Sequence, residues 1–260
     1  MLCRKIGYDW KYSLEKEKEF WIADKKRVIS QEWHEHVNRR TEWFLNWHRK
    51  YATIDDNCKI LHVGSGADGE INFMSKGVRI GIDPLADFFK VNYSGIMNKD
   101  VDYLKGRGEN LPFEENIFDL VISFNPLDHF QDPKKALCEI SRVLKEEGIL
   151  YLGIHVKSKY GHMISELMKK VRTVTDHYYG YTRDSINSEV GNFLQIMETR
   201  EETFLEKFAP SRIEDNRFTI KNFLLFTVLG QREYVFHLLA RKCTVKIKKR
   251  KKPTKLSKIR

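Results

Sequence analysis

Gly64-Ser65-Gly66-Ala67-Asp68-Gly69 is a GxGxxG run, and Asp83 stands nineteen residues beyond Gly64. Glycines at this spacing let the backbone approach a ligand closely. A carboxylate about twenty residues later can accept from both hydroxyls of a ribose. Taken alone, the pair reads as a dinucleotide fingerprint, and any adenosine-bearing cofactor could use it. The plainer reading is a tight strand-to-helix turn, with Asp83 before Pro84 only ending a strand. Order and spacing favour the functional reading.

A second constellation is the loop Asn125-Pro126-Leu127-Asp128-His129. Histidine ordinarily titrates near neutral pH, so His129 is a candidate proton acceptor and Asp128 a candidate partner for it. Against this, His129 could be a packing residue and Asp128 a simple cap or turn. A third cluster, Asp176-His177-Tyr178-Tyr179-Gly180-Tyr181-Thr182, offers His177 and Tyr181 as substrate contacts. A tyrosine-rich turn before an N-cap at Thr182 explains it nearly as well. Trp10, Trp21, Trp33 and Trp43 could close over a cofactor, although helix packing is the simpler use. Cys3, Cys58, Cys138 and Cys243 are too scattered for a metal site and too few for a disulfide framework.

The elements that must position these residues follow from periodicity. Trp33, Val37, Phe44, Trp47 and Tyr51 recur near helical spacing over 30–51, and 13–27 reads as an earlier helix; together they form an N-terminal helical cap. Short apolar runs at 59–63, 78–82 and 118–123 read as buried strands. Asp132-Pro133 opens a helix running to 144 and stopping near Gly148, and a strand resumes over 149–155. Further on, 160–174 reads as a helix, 193–203 and 232–241 as strands, and 218–229 as an apolar segment. Strands alternating with helices imply parallel pairing, with ligands beyond the carboxyl ends of the strands. The glycine loop, Asp83 and the 125–129 loop all fall at such ends.

Five blocks in order, Leu61-His62-Val63-Gly64-Ser65-Gly66, Gly81-Ile82-Asp83, Glu109-Asn110-Leu111-Pro112-Phe113, Phe118-Asp119-Leu120-Val121 and Arg142-Val143-Leu144-Lys145, resemble class I S-adenosylmethionine-dependent methyltransferases. The likeness is greatest to the ubiquinone and menaquinone biosynthesis branch and covers residues 59–155. It implies an α/β fold: a Rossmann-like, mostly parallel seven-stranded sheet with helices on both faces plus the N-terminal cap. The implied division is 1–57 cap, 58–156 cofactor-binding core, 157–241 the rest of the sheet with substrate-side elements, and 242–260 a basic tail. The resemblance also implies that Gly64, Ser65 and Gly66 pass the methionine part of S-adenosyl-L-methionine and that Asp83 holds the ribose. Ile82 and Pro84 would flank the sugar, Gly108 and Glu109 run past the adenine, and Phe124 and Asn125 close the methionine end. Three positions depart from the pattern. His62 replaces an acid that helps hold the cofactor's amino group, Asp68 stands at the usual third glycine, and Arg107 replaces an acid near the adenine.

The formal charge is +10, but residues 241–260 hold eleven of the 46 Lys and Arg and no acid. Without them, 35 basic residues face 36 acidic ones. Basicity therefore belongs to a tail able to touch nucleic acid or an anionic membrane, with a solvated tail as the default. No run approaches the roughly 20 apolar residues of a membrane span, and 1–18 is broken by charge, so the expectation is a cytoplasmic protein. The reading is a methyltransferase acting on a small molecule, with sugar, lipid-linked or quinone-like acceptors all permitted. The alternatives are a non-catalytic cofactor-binding scaffold, an RNA methyltransferase using the tail, and, least favoured, a nicotinamide-dependent oxidoreductase.

Overall fold

The computed structural model describes residues 10–163, 180–201 and 233–242. Three helices open the chain, α1 (Trp10–Ala23), α2 (Lys25–Val28) and α3 (Gln31–His48). The last begins where the Ser30 hydroxyl accepts from the Trp33 amide, satisfying one of the donors that a helix start leaves unpaired. Strands β1 (Lys59–Val63) and β2 (Val78–Asp83) follow, separated by a 3-10 turn at Glu70–Phe73. After α4 (Ala86–Asn92) come β3 (Val101–Lys105), β4 (Phe118–Phe124), α5 (Pro133–Val143) and β5 (Leu144–Lys157). Then α6 (Arg183–Val190), β6 (Gln195–Glu201) and β7 (Glu233–Arg241) complete the described chain.

The sheet has seven strands in the order β3-β2-β1-β4-β5-β7-β6. The first five are parallel, and β7 runs antiparallel to both of its neighbours. Alternation of side chains divides the core into two layers. Leu61, Val121, Leu150 and Leu152 pack with α5 residues Leu137 and Ile140. Ile60, Leu120, Ile122 and Tyr151 pack with Phe44 and Trp47 of α3. Phe44 stacks on Tyr151 with ring centroids 4.0 Å apart, so α3 is one of the layers covering the sheet. A third cluster joins Trp21, Val28, Leu85, Phe89 and Tyr93, which fastens α1 and α2 to α4.

The expected strands at 59–63, 78–82, 118–123, 193–203 and 232–241 are all present within two residues at each end. The junction between α5 and β5 differs. Leu144 leaves α5 directly into β5, pairing with Phe118, because a fully buried leucine is better used in the sheet than in a frayed helix end. Strand β3 has no counterpart in the sequence reading. It is a short edge strand whose buried Val101 and Tyr103 alternate with exposed Asp102, Leu104 and Lys105, a pattern too brief and charged to stand out. The expected helix at 160–174 is described only over 159–163, and the apolar segment at 218–229 lies outside the described residues.

At the start of α5 the Asp132 carboxylate accepts from the Lys135 amide at 3.1 Å. Asp132→Ala is expected to cost about 1 kcal/mol, read as a lowered urea midpoint with an unchanged slope. Among the described residues no helix is long and apolar enough to cross a membrane.

Candidate active site

The glycine loop follows β1 because the chain must reverse there without a side chain in the way. Gly64 has φ +71°, and a Cβ on it would fall 2.4 Å from the Pro126 Cβ; both conditions select glycine. Its amide donates to the Ile82 carbonyl at 2.8 Å. Asp83 completes the tie: one carboxylate oxygen accepts from the Gly66 amide at 3.1 Å and the other from the Leu85 amide at 2.8 Å. Burial pushes the Asp83 carboxyl up to about 6, with the Leu85 and Gly66 amides acting in the opposite direction.

These residues open onto a cavity of about 430 Å³, within the size range of small-molecule sites. The loop contributes Gly64, Ser65 and Gly66, and β2 and the turn after it contribute Asp83 and Pro84. His62, Phe124, Asn125 and His129 also line it. Asn125 sits at φ +64° and its buried Oδ1 has no hydrogen-bond partner. Helix α1 contributes Trp10, Leu14, Glu17 and Trp21. The Trp21 ring lies where a Gly66 Cβ would meet it at 3.0 Å, and its indole N–H donates to Glu17 at 3.0 Å.

Glu17 lies 3.8 Å from His129 Nδ1, and Asp128 Oδ1 lies 3.8 Å from His129 Nε2. The imidazole is thus flanked by two carboxylates. Asp128 itself is buried and does not line the cavity, so only a role through His129 is open to it.

The other predicted residues have different surroundings. Gly108 and Glu109 are not among the cavity-lining residues. A Cβ on Gly108 would strike the Phe130 ring at 2.8 Å, so it makes room for packing. Glu109 Oε1 accepts from the amides of Gln131 at 2.7 Å and Asp132 at 3.3 Å, which holds the loop before α5. Tyr181 is buried in the same core cluster as Ile186 and Val190, bridges to Val156 and is not among the cavity-lining residues. His177 lies outside the described residues, as does the basic tail beyond Lys242. Lys242 is bonded to the body, its ammonium donating to the Leu144 carbonyl at 2.7 Å and to Asn116 at 2.6 Å. Trp10, Trp21 and Trp33 do line the cavity, whereas Trp43 packs near Trp47 and His237.

The structure also brings in residues that the sequence reading did not single out: Glu17, Arg40 and Glu70. Arg40 Nε donates to Glu70 Oε1 at 2.8 Å, and the guanidinium lies 3.9 Å from the Phe124 ring centroid. Asp68, at the displaced glycine position, accepts from the Trp33 indole at 2.5 Å and so fastens α3 to the loop. For Glu17 and Arg40 the forward signal was a charge among apolar residues on a helix face; Glu70, in the 3-10 turn, gave none.

Residues 61–152 match the family described as a methyltransferase domain. An uncharacterised methyltransferase of Bacillus subtilis is 32% identical over 102 residues, 37% of this chain and 40% of its own length. The ubiquinone/menaquinone biosynthesis C-methyltransferase of Blochmanniella pennsylvanica is 28% identical over 189 residues, 68% of this chain and 67% of its own. The chain spans less than half the length of the first curated relatives it matches. In fold it is similar to the geranyl diphosphate C-methyltransferase of Streptomyces coelicolor, solved with S-adenosyl-L-homocysteine. That likeness has a TM-score of 0.62 at 17% identity and covers 84% of this chain and 83% of that one. The ordered sequence blocks, the seven-stranded sheet and these matches agree, and over residues 61–152 the chain is a methyltransferase domain of the class I S-adenosylmethionine-dependent type.

Proposed function

We propose that the protein binds S-adenosyl-L-methionine in this cavity and transfers its methyl group to a small-molecule acceptor. The observation that carries the reading is the joining of the glycine loop, the Asp83 carboxylate and the Asn125–His129 loop around one cavity roofed by α1. The residues fit such a nucleoside. Asp83 presents a carboxylate to it, the loop presents bare backbone, and buried polar atoms of Asn125, His62 and Glu70 without hydrogen-bond partners line the same space.

When bound, the cofactor supplies an already activated methyl group on sulfur. The chain's part is then to orient and to exclude water. Asp83 accepts from the ribose hydroxyls, Gly64 and Gly66 let the backbone lie close, and Trp21 and Trp10 of α1 keep solvent from the cavity. His129 takes the acceptor's proton on a ring nitrogen, held between Glu17 and Asp128. The aromatic lining suits a sugar, lipid-linked or quinone-like acceptor.

The test is calorimetric titration of the full chain with S-adenosylmethionine and S-adenosylhomocysteine, with NAD and NADP in parallel. Binding of the methionine-bearing pair alone is expected. Binding of a nicotinamide nucleotide only, or of none of the four, would overturn the proposal.

A further inference from the structure

Glu70 opens the 3-10 turn after the glycine loop, and its side chain is 1% exposed. Oε1 is bonded to Arg40, but Oε2 has no hydrogen-bond partner, and neither ring nitrogen of His62 has one. Glu70 Oε2 and His62 Nε2 are 3.6 Å apart, and Glu70, His62 and Arg40 all line the cavity.

A buried carboxylate oxygen left unbonded is costly, and the loss is recovered only by a hydrogen-bond donor, best a cationic N–H. His62 is poorly suited to that role, since burial lowers its pKa to about 4 and leaves it neutral at pH 7. Burial is the largest influence on Glu70 and works against its ionisation, but the Arg40 guanidinium, the His62 ring and the backbone amide of Glu70 together outweigh it and keep the carboxyl below the usual glutamate range. The cavity wall therefore presents an anion with an open acceptor beside a guanidinium that gives only its Nε to that anion among the described bonds. A ligand group complementary to this pair carries an ammonium and a carboxylate close together, which is the chemistry of an α-amino acid.

We infer that Glu70 and Arg40 form the subsite for the amino-acid head of the nucleoside, Glu70 Oε2 accepting from its ammonium and Arg40 donating to its carboxylate. The assignment rests on the cofactor reading above. It moves the acid that holds the amino group from position 62, where this chain has histidine, to position 70, with the guanidinium supplied by α3.

The experiment compares two nucleosides on the full chain: S-adenosylhomocysteine, which has the amino-acid head, and 5′-methylthioadenosine, which lacks it. Glu70→Gln is expected to weaken the first by roughly tenfold or more and the second by less than about twofold. Retained binding of methylthioadenosine also reports that the variant is folded. Equal weakening of both would make Glu70 a purely structural tie to α3 and overturn the inference, as would no weakening of either. If Glu70→Gln does not fold, Arg40→Lys is read in the same way, again with loss confined to S-adenosylhomocysteine. Loss of S-adenosylhomocysteine binding in Asp83→Ala without loss in Glu70→Gln would leave the cofactor reading standing and remove this one. Binding of neither nucleoside by the native chain would remove both.

Discussion

Replacing Asp83 with alanine is expected to weaken S-adenosylhomocysteine binding at least about a hundredfold, because two hydrogen bonds to an ionised group are each worth roughly 1.5–3 kcal/mol. The substitution also strands the Gly66 and Leu85 amides that the carboxylate now holds, so a lowered melting temperature should accompany it. Asp83→Asn keeps an acceptor oxygen in the same volume and is expected to fall between the native chain and Asp83→Ala. The pH dependence gives an independent check. Burial, with Glu17 adding to it, sets the carboxyl at about 6, and the ribose hydroxyls bond best to its ionised form. Affinity should therefore be level above that pH and fall by up to about tenfold per unit below it. In Asp83→Asn the titration is gone and that fall should flatten. Calorimetry at pH 5, 6, 7 and 8 on all three proteins reads both effects. A native profile that is level across this range would count against Asp83 as the ribose acceptor.

The second large effect concerns stability. His48, at the end of α3, is 2% exposed, and burial lowers its pKa to about 4 from an ordinary 6.5, with a hydrogen bond to the Ala52 backbone acting in the opposite direction. In the unfolded chain the same imidazole takes up a proton near pH 6.5, whereas the folded chain resists until about pH 4. Above pH 6.5 both states are neutral and the group contributes no pH dependence. As the pH falls from 6.5 towards 4 the unfolded state binds more protons and stability is lost. Between pH 7 and pH 5 this amounts to about 2 kcal/mol for one histidine, taking 1.36 kcal/mol per unit as the conversion. His62 is lowered to about 4 for the same reason and acts in the same sense, while Asp83 and Asp68, both raised by burial, act in the other. The clean quantity is therefore the difference between the native chain and His48→Leu. Urea unfolding at pH 7 and pH 5 should show the native chain losing about 2 kcal/mol more than the variant on acidification. Equal losses in the two would mean that His48 is not held neutral by the fold.

Much of the scaffold was legible because it depends on contiguous residues. The apolar runs at Lys59–Val63, Val78–Asp83 and Phe118–Phe124 are buried on both faces of a parallel sheet, and such strands announce themselves as unbroken hydrophobic stretches. Asp132 was legible as a helix start for an equally local reason, since a cap bonds to an amide three residues away. Strand β3 was hidden because an edge strand needs only two buried side chains. The seven-strand total came from resemblance and not from counting runs. Gly108 and Glu109 were assigned to the cofactor by motif order, but order along the chain does not say which way a loop turns its side chains. Here Glu109 turns inward to the amides of Gln131 and Asp132. Tyr181 had the composition of a pocket residue and the burial of a core one.

What the sequence determined by itself is the backbone of the site: a strand, a glycine turn with positive φ values that favour glycine, and an acid at the end of the next strand. Steric limits and short-range hydrogen bonds act between near neighbours, so their requirements are written in near neighbours. What only the tertiary structure decided is the lining: Glu17 beside His129, Trp21 over Gly66, and Arg40 on Glu70 with His62 alongside. Most of these pairs join segments far apart in sequence, and each member alone is an ordinary charged, imidazole or aromatic side chain. Their chemistry comes from being packed together out of water, where an unpaired carboxylate oxygen or a buried imidazole becomes a strong constraint on what can bind.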